Sequence, residues 1–490
     1  MRLATASEIR SLDAAARAAA WRAPGAPPER ALMDLAALAL ADAIEEIAAR
    51  FAARPAVFAV CGKGDNGGDA ALAAELLAAR GFRADVLRAA DAAAWADMPP
   101  EALPARSIVL DGALGIGLRG APRGAAAAAV AWTNRMREAG RALVVAVDVP
   151  SGVDADTGEA PGAAVTADFT VTMGLPKRGF ANPAALARCG DILVAGLGYP
   201  PDALAPPDDP AETEIFSEPD ARRLVPRRAW DANKGAFGHV AVVAGSERYA
   251  GAPALAALGA LRGGAGLVTA LVPRAIAPAV AAAAPELMVR AFDAPSATPA
   301  ALASCGFDFA GKVVLAGPGL SRAPGVAEAL GWLRSAPGVR GFVFDADALD
   351  RLPPAADPGR GPCNCILTPH PGEAARMLGA TVAAVQADRP AAARELAARA
   401  GAAVVLKGAG TLVAAPGKPL SLVPCGNPGL ARGGSGDILA GLCAAALARG
   451  LAPFDAARAA VWRHGRAADL AAVRRGAEAM LPTDLLAELR

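Results

Sequence analysis

Asp437 closes the run Asn427-Pro428-Gly429-Leu430-Ala431-Arg432-Gly433-Gly434-Ser435-Gly436-Asp437 and opens the helical stretch DILAGLCAAALA. Successive amides from Gly433 to Gly436 can form an anion-binding nest, and the helix dipole favours charge developing on a transferring phosphoryl group. A carboxylate beside such a nest can accept the proton of a substrate hydroxyl as that hydroxyl attacks a nucleotide phosphate. As a helix N-cap alone, Asp437 would need no chemical role. Upstream, Lys407-Gly408-Ala409-Gly410-Thr411 is expected to turn between two strands, offering N–H donors, a hydroxyl and an ammonium to a nucleotide. Only six lysines occur among 49 basic residues, so a lysine in a glycine turn is informative. His370 lies in Thr368-Pro369-His370-Pro371-Gly372-Glu373, where flanking prolines stiffen the loop and present the imidazole to a ligand. A lone histidine is commonly structural; His239 and His464 are read that way, and no HxxxH or HxH spacing supports zinc.

The first half carries a second set. Cys61-Gly62-Lys63-Gly64-Asp65-Asn66-Gly67-Gly68-Asp69 follows a predicted strand and opens a helix expected to start near Asp69. Glycines there let backbone N–H groups approach a phosphate-bearing ligand at a helix N-terminus. The turn matches neither the Walker A spacing nor GxGxxG, so by itself it serves equally as a tight turn. Asp111 ends SIVLD ahead of Gly115-Ile116-Gly117-Leu118-Arg119-Gly120, and Asp148 ends ALVVAVD ahead of Pro150-Ser151-Gly152. Taken singly, Asp111 reads as a loop cap and Asp148 as a turn residue. The carboxyl ends of parallel strands form one rim, where the three turns can converge. Asn66, Asp111 and Ser151 would then surround a spot suited to a hard cation, monovalent or divalent. Asp148 is the preferred acid/base group, a role worth ~10²–10⁴ in rate.

These turns need strands to hold them. Strands are predicted at 56–60, 84–88, 107–111, 142–148 and 168–173, and again at 239–245, 266–272, 312–317, 341–347, 365–369 and 402–408, with Ala/Leu-rich helices between most of them. That alternation implies α/β layers with mainly parallel sheets, Rossmann-like in the first half and a second α/β sandwich after it. The proline- and acid-rich stretch from Tyr199 to Ile215 is the expected boundary between domains. Met1 to Ala20 reads as an amphipathic helix with Thr5 and Glu8 as a capping box, not as a secretion signal. At 490 residues, at least two cores are expected. A net charge of +1 removes any bulk pull toward nucleic acid or anionic membrane. The apolar stretch near 252–273 is broken by Arg262, Gly263 and Gly264, a poor membrane span. The seven cysteines lack a zinc-like CxxC pair, which fits a reduced, cytoplasmic setting. Cys363 and Cys365 are read as ordinary packing, with redox or metal chemistry the alternative.

KGDNGGDA, LDGALGIGLRG and VDVPSGVDADTG, in this order, resemble the epimerase domain of the NAD(P)H-hydrate repair proteins. The resemblance implies interconversion of R and S hydrates of NADH or NADPH, with a potassium ion held by Asn66, Asp111 and Ser151. It places substrate on Asp65, Asn66, Gly67, Gly68 and Asp69 and on Gly115, Ile116, Gly117, Leu118, Arg119, Gly120 and Ala121, with Asp148 acting on it. Asp65, Ala70 and Ile116 stand where the family usually has Asn, Gly and Thr. In the second half KGAFGHVAVVAGS, GPGLSR, DADAL, TPHPGEAARML, KGAGT and NPGLARGGSGD resemble the ADP/ATP-dependent NAD(P)H-hydrate dehydratases, which implies a ribokinase-like fold. By that resemblance Ala252, Gly319, His370 and Asp437 contact the hydrated nucleotide. Lys407, Gly408, Ala409, Gly410, Thr411 and Gly436 bind ADP or ATP, with magnesium. Arg432 and Ser435 replace the family's usual small hydroxyl residue and threonine. The expected domains are 1–205 and 215–490, in a homo-oligomer acting on small molecules and not on nucleic acid or membrane. The alternative is a ribokinase-like small-molecule kinase whose first domain binds without catalysis.

Overall fold

The computed structural model describes residues 1–18, 28–49, 51–199, 209, 211–225, 230–351 and 364–489. The expected boundary stretch and Cys363 therefore fall largely or wholly outside the described residues, while Cys365 is buried in a strand. Two compact units emerge, Met1–Pro207 with Thr213–Ile215, and Asp208–Glu212 with Phe216–Arg490.

In the first unit β1 (Val57–Cys61), β2 (Ala84–Arg88), β3 (Ser107–Gly112), β4 (Ala142–Val147), β5 (Phe169–Met173) and β6 (Asp191–Ala195) form a six-stranded sheet in the order β2-β1-β3-β4-β5-β6. Every pairing is parallel. Alternation along β1 divides the core: Val57, Ala59 and Cys61 pack with α2 (Pro28–Ala48) and α3 (Asp65–Ala79), whereas Phe58 and Val60 pack with α4 (Gly124–Glu138). A sheet buried on both faces by helices is the three-layer arrangement that parallel strands require. The expected strands are all present, and β6 is additional. α1 (Ala6–Ala18) starts at the expected capping box, with Glu8 N–H donating to Thr5 Oγ1 at 3.1 Å and Thr5 N–H to Glu8 Oε2 at 2.7 Å.

In the second unit β7 (His239–Val243), β8 (Leu267–Pro273), β9 (Met288–Phe292), β10 (Val313–Ala316), β11 (Gly341–Phe344), β12 (Cys365–Leu367), β13 (Ala403–Leu406), β14 (Thr411–Ala414) and β15 (Leu420–Val423) are ordered β9-β8-β7-β10-β11-β12-β13-β14-β15. Pairing is parallel as far as β13 and antiparallel from β13 to β15. Against one face lie α5 (Gly251–Gly263), α9 (Ser435–Ala448) and α10 (Pro453–Arg475); α6 (Val326–Ser335), α7 (Pro371–Leu378) and α8 (Arg389–Ala400) complete the layers used below. Among the described residues no helix is long and apolar enough to cross a membrane.

α9 is buried along nearly its whole length, and its approach to α5 is set by glycines. A Cβ on Gly441 would stand 2.2 Å from Ala256 O, and one on Gly259 would stand 2.4 Å from Ile438 O. This contact fixes the helix whose first turn carries Asp437. Gly441→Ala should push the two helices apart and cost about 1–3 kcal/mol. An unchanged urea midpoint for the second unit would contradict that packing.

Candidate functional sites

The ends of β1, β3 and β4 open on a cavity of about 970 Å³. Asp65, Asn66, Gly67 and Asp69 line it from the turn after β1. Gly115, Ile116, Gly117 and Leu118 line it from the turn after β3, and Asp148 from the end of β4. Gly68, Arg119, Gly120 and Ala121, expected at the same place, are outside this lining. Gly68 instead faces Met33, and Ala121 packs on Gly162. α3 starts at Asp65, not near Asp69. The reason is local: Gly64 O already accepts from Gly67 N at 3.0 Å and Gly68 N at 3.1 Å, closing the first turn. The glycines also admit backbone to backbone, since a Cβ on Gly62 would stand 2.1 Å from Ala113 O and one on Gly67 would stand 2.2 Å from Gly62 O. The amides of Asp65 and Asn66 remain without an intrahelical partner, as at any helix start.

Asn66, Asp111 and Ser151 do meet, around Leu114. Asn66 Nδ2 donates to Leu114 O at 3.0 Å and to Val147 O at 2.6 Å. Ser151 Oγ donates to Asp111 Oδ1 at 2.6 Å, Ser151 N to Asp111 Oδ2 at 2.8 Å, and Leu114 N to Ser151 Oγ at 2.8 Å. Burial pushes the Asp111 carboxyl up to about 6 although the bonds from Ser151 and Ala113 pull it down. A small cation among these oxygens would offset that desolvation, so the donor set fits one.

Asp148 sits at φ +66, a left-handed conformation uncommon for a side chain with a Cβ. The strain is held by its neighbours. Met173 N donates to Asp148 Oδ1 at 2.8 Å, Thr172 Oγ1 donates at 3.2 Å, and the fully buried Lys177 places Nζ 2.5 Å from the same oxygen. Lys177 also donates to Thr172 Oγ1, Met173 O and Leu175 O, which satisfies an ammonium in a dry interior. Asp69, in the same cavity, is pushed up to about 8 by burial and by the charges of Asp148, Asp65 and Asp13. Tyr199 closes the far side, its hydroxyl donating to Asp13.

In the second unit Ala252, Gly319 and Asp437 line a cavity of about 750 Å³ together with Tyr249, Ser321 and Asp347. Gly319 is required there: at φ +64, a Cβ would stand 2.8 Å from Tyr249 Cβ and 3.1 Å from Ala252 Cβ. α9 begins at Ser435, with Gly434 as its left-handed cap at φ +98, so Asp437 lies in the first turn. Burial and then the charge of Asp345 push the Asp437 carboxyl up to about 7, opposed by Lys407. Lys407 Nζ is 2.9 Å from Asp345 Oδ1 and 3.8 Å from Glu373 Oε2. Burial acts to lower its pKa, but the charges of Asp345 and Glu373 hold it above the ordinary lysine value. Gly436 is beside this group, since a Cβ there would lie 3.3 Å from Lys407 Nζ.

Gly408, Ala409 and Gly410 form the β13–β14 turn as expected, with Thr411 opening β14, and the turn rests on the buried Arg389. That guanidinium donates to Leu406 O, Gly410 O and Lys407 O at 3.2, 3.3 and 3.4 Å. His370 is outside the lining of the cavity and caps α7, with Nδ1 accepting from Gly372 N at 3.0 Å and Glu373 N at 3.3 Å. Its own amide donates to Glu373 Oε2 at 2.7 Å, so it fixes the carboxylate facing Lys407. Arg432 donates to Glu478 O. His239 Nε2 bonds Thr269 Oγ1 at 2.8 Å, and His464 is buried and pushed down to about 4, both structural positions.

Sequence reasoning missed Lys177, Tyr199, Asp345, Glu373 and Arg389. Lys177 had a signal, as one of six lysines set in the apolar run MGLPKRGF, and Glu373 another, three residues after a cap. Asp345 and Arg389 gain their roles only through tertiary contacts.

Residues 240–490 match the family described as NAD(P)H-hydrate dehydratase, and residues 29–179 the YjeF-related protein N-terminus. The bifunctional NAD(P)H-hydrate repair enzyme of Moorella thermoacetica is 36% identical over 99% of this chain and 95% of its own length. That of Escherichia coli is 36% identical over 88% and 84%. Among solved structures, the ADP/ATP-dependent NAD(P)H-hydrate dehydratase from Bacillus subtilis, co-crystallized with ATP/Mg2+, is similar with a TM-score of 0.50 and 32% identity, covering 56% of this chain and 95% of that one. With both halves matched and their rim carboxylates in place, the chain belongs to the bifunctional NAD(P)H-hydrate repair enzymes, epimerase in the first unit and dehydratase in the second.

Proposed function

We propose that the second unit restores NADH or NADPH from its S hydrate by phosphorylating the ring hydroxyl and then eliminating phosphate. Hydroxide is a poor leaving group and phosphate a good one, which explains a kinase-like site in a dehydratase. Asp437 accepts the hydroxyl proton while the oxygen attacks the terminal phosphorus of ADP or ATP, and the bond from that phosphorus to the leaving nucleotide breaks. The ring-carbon-to-oxygen bond then breaks with loss of a proton from the adjacent ring carbon, giving the double bond and inorganic phosphate. The amides at the start of α9 and the Lys407 ammonium stabilise the transferring charge. The turn at Lys407 to Thr411 holds the nucleotide. Asp345 and Glu373 are the oxygen donors beside it that suit the magnesium a nucleotide carries. Ala252 and Gly319 seat the hydrated ring beside Asp437.

In the first unit Asp148 handles the proton in interconversion of the R and S hydrates. Lys177 orients Asp148. Asn66, Asp111 and Ser151 would hold potassium, whose charge would supply electrostatic balance for the buried Asp111.

The observation that carries this reading is Asp437, a carboxyl pushed up to about 7 at a helix start in the second cavity. Because it must be ionised to accept a proton, kcat/KM for the S hydrate should rise about tenfold per pH unit below that value and level off above it. A profile flat from pH 5 to 8 would contradict the assignment. Asp437→Asn should lower the appearance of NADH absorbance by about 10²–10⁴, and retained turnover would remove Asp437 from the mechanism. Asp148→Asn should leave only the S portion of a mixed hydrate sample rapidly repaired, and rapid repair of the whole sample would contradict its role. Lys177→Met strands a buried carboxylate and should cost about 3–5 kcal/mol in the first unit. An unchanged unfolding midpoint would show the pair to be dispensable.

A further inference from the structure

α1 forms one wall of the first unit's cavity, although none of its residues belongs to the motifs that define the site. Ile9, Arg10, Asp13 and Arg17 all line it, and the spacing of 10, 13 and 17 places three charged residues on one helical face. The helix is fastened there. Ile9 packs with Ile116 in one apolar cluster, Arg10 Nη2 donates to Ile116 O at 3.3 Å, and Asp13 accepts from Tyr199. Across the opening, Lys63 lines the same cavity from the turn after β1.

The charged groups lining this cavity differ in burial. Asp69 and Asp148 are buried, with Asp148 paired to Lys177; Asp13 is half-buried and bonded by Tyr199, and Asp65 shares the exposed rim with Arg10, Arg17 and Lys63. Among the described residues neither Lys63 nor Arg17 makes a hydrogen bond or ion pair, and Arg10 uses only its donor to Ile116 O. A dinucleotide carries anionic phosphates at its middle and an uncharged hydrated ring at one end. Exposed guanidinium and ammonium groups attract phosphate, whereas the buried inner end, where Lys177 is already paired with Asp148, offers it no cation. Phosphates at the mouth and the uncharged ring inside satisfy both.

We propose that Arg10, Arg17 and Lys63 bind the phosphate groups of the hydrated dinucleotide in the first unit, directing its ring inward to Asp148. The inference rests on the epimerase reading and adds to it a phosphate subsite built by α1. Because a 2′-phosphate adds negative charge to the ligand, the hydrate of NADPH gains more from these cations than that of NADH.

The test is steady-state conversion of purified R hydrates by the full chain, with dehydration of pure S hydrate as a control in the same molecule. Arg17→Ala and Lys63→Ala should each raise KM for the R hydrate of NADPH about tenfold while kcat stays within about twofold. Arg17→Lys should recover most of the loss. The triple Arg10→Ala, Arg17→Ala, Lys63→Ala variant should lose the rise of KM with salt that the unaltered chain shows. Unchanged KM values, or a fall in kcat alone, would overturn the subsite while leaving the epimerase reading intact. An unaltered chain that repairs S hydrate but never converts R hydrate would overturn the epimerase reading and this inference with it.

Discussion

The ammonium of Lys407 and the carboxylate of Asp345, 2.9 Å apart at the foot of α9, set the conditions under which Asp437 can work. Burial alone would favour a protonated, idle Asp437, and the negative Asp345 adds to that tendency. Lys407 opposes both. The pair is itself supported, since Thr368 Oγ1 donates to Asp345 Oδ1 at 2.7 Å and Glu373 lies on the other side of the ammonium. Glu373 owes its place to the reciprocal cap with His370, and the main chain of Lys407 to Arg389 behind the turn. Beside Asp437, the buried charges of Asp345, Lys407 and Glu373 are thus paired with one another, which is the condition for keeping charge in a low-dielectric interior.

The two units treat their principal carboxylates in opposite ways. Asp148 is clamped by a fully buried lysine, a backbone amide and a threonine hydroxyl, in a strained backbone conformation that these bonds maintain. Asp437 lies at a helix start without such a clamp, its lysine one residue removed through Asp345. A base that must take a proton from an alcohol gains from a pKa near the working pH, whereas a fixed counter-ion and hydrogen bonds hold a carboxylate in one orientation. One chain places both solutions at the carboxyl ends of strands, where α/β sheets form their ligand crevices.

Much of this was legible in the residues. Short β-branched runs located most strands in both halves, though not β6, β9 or β15, and the strand-to-helix glycine turns pointed to both cavities. The meeting of Asn66, Asp111 and Ser151 followed from the rule that parallel strands share one rim. What stayed hidden was tertiary in origin. The glycines at 62 and 67, read as letting backbone approach an anion, also admit other backbone, and α3 begins four residues early because Gly64 O closes its first turn. His370, expected at a ligand because its prolines expose it, also caps a helix, a role that its loop sequence did not declare. Lys177 and Arg389 are charged residues in the interior, and only the acceptors packed around them explain how they can be there.

In the proposed dehydration the hydroxyl oxygen leaves the damaged ring as part of phosphate. S hydrate carrying a heavy oxygen isotope at that hydroxyl, turned over with unlabelled nucleotide, reveals its fate by mass analysis of the products. One labelled oxygen is expected in each inorganic phosphate released and none in water. Unlabelled phosphate with the isotope recovered in water would contradict that route.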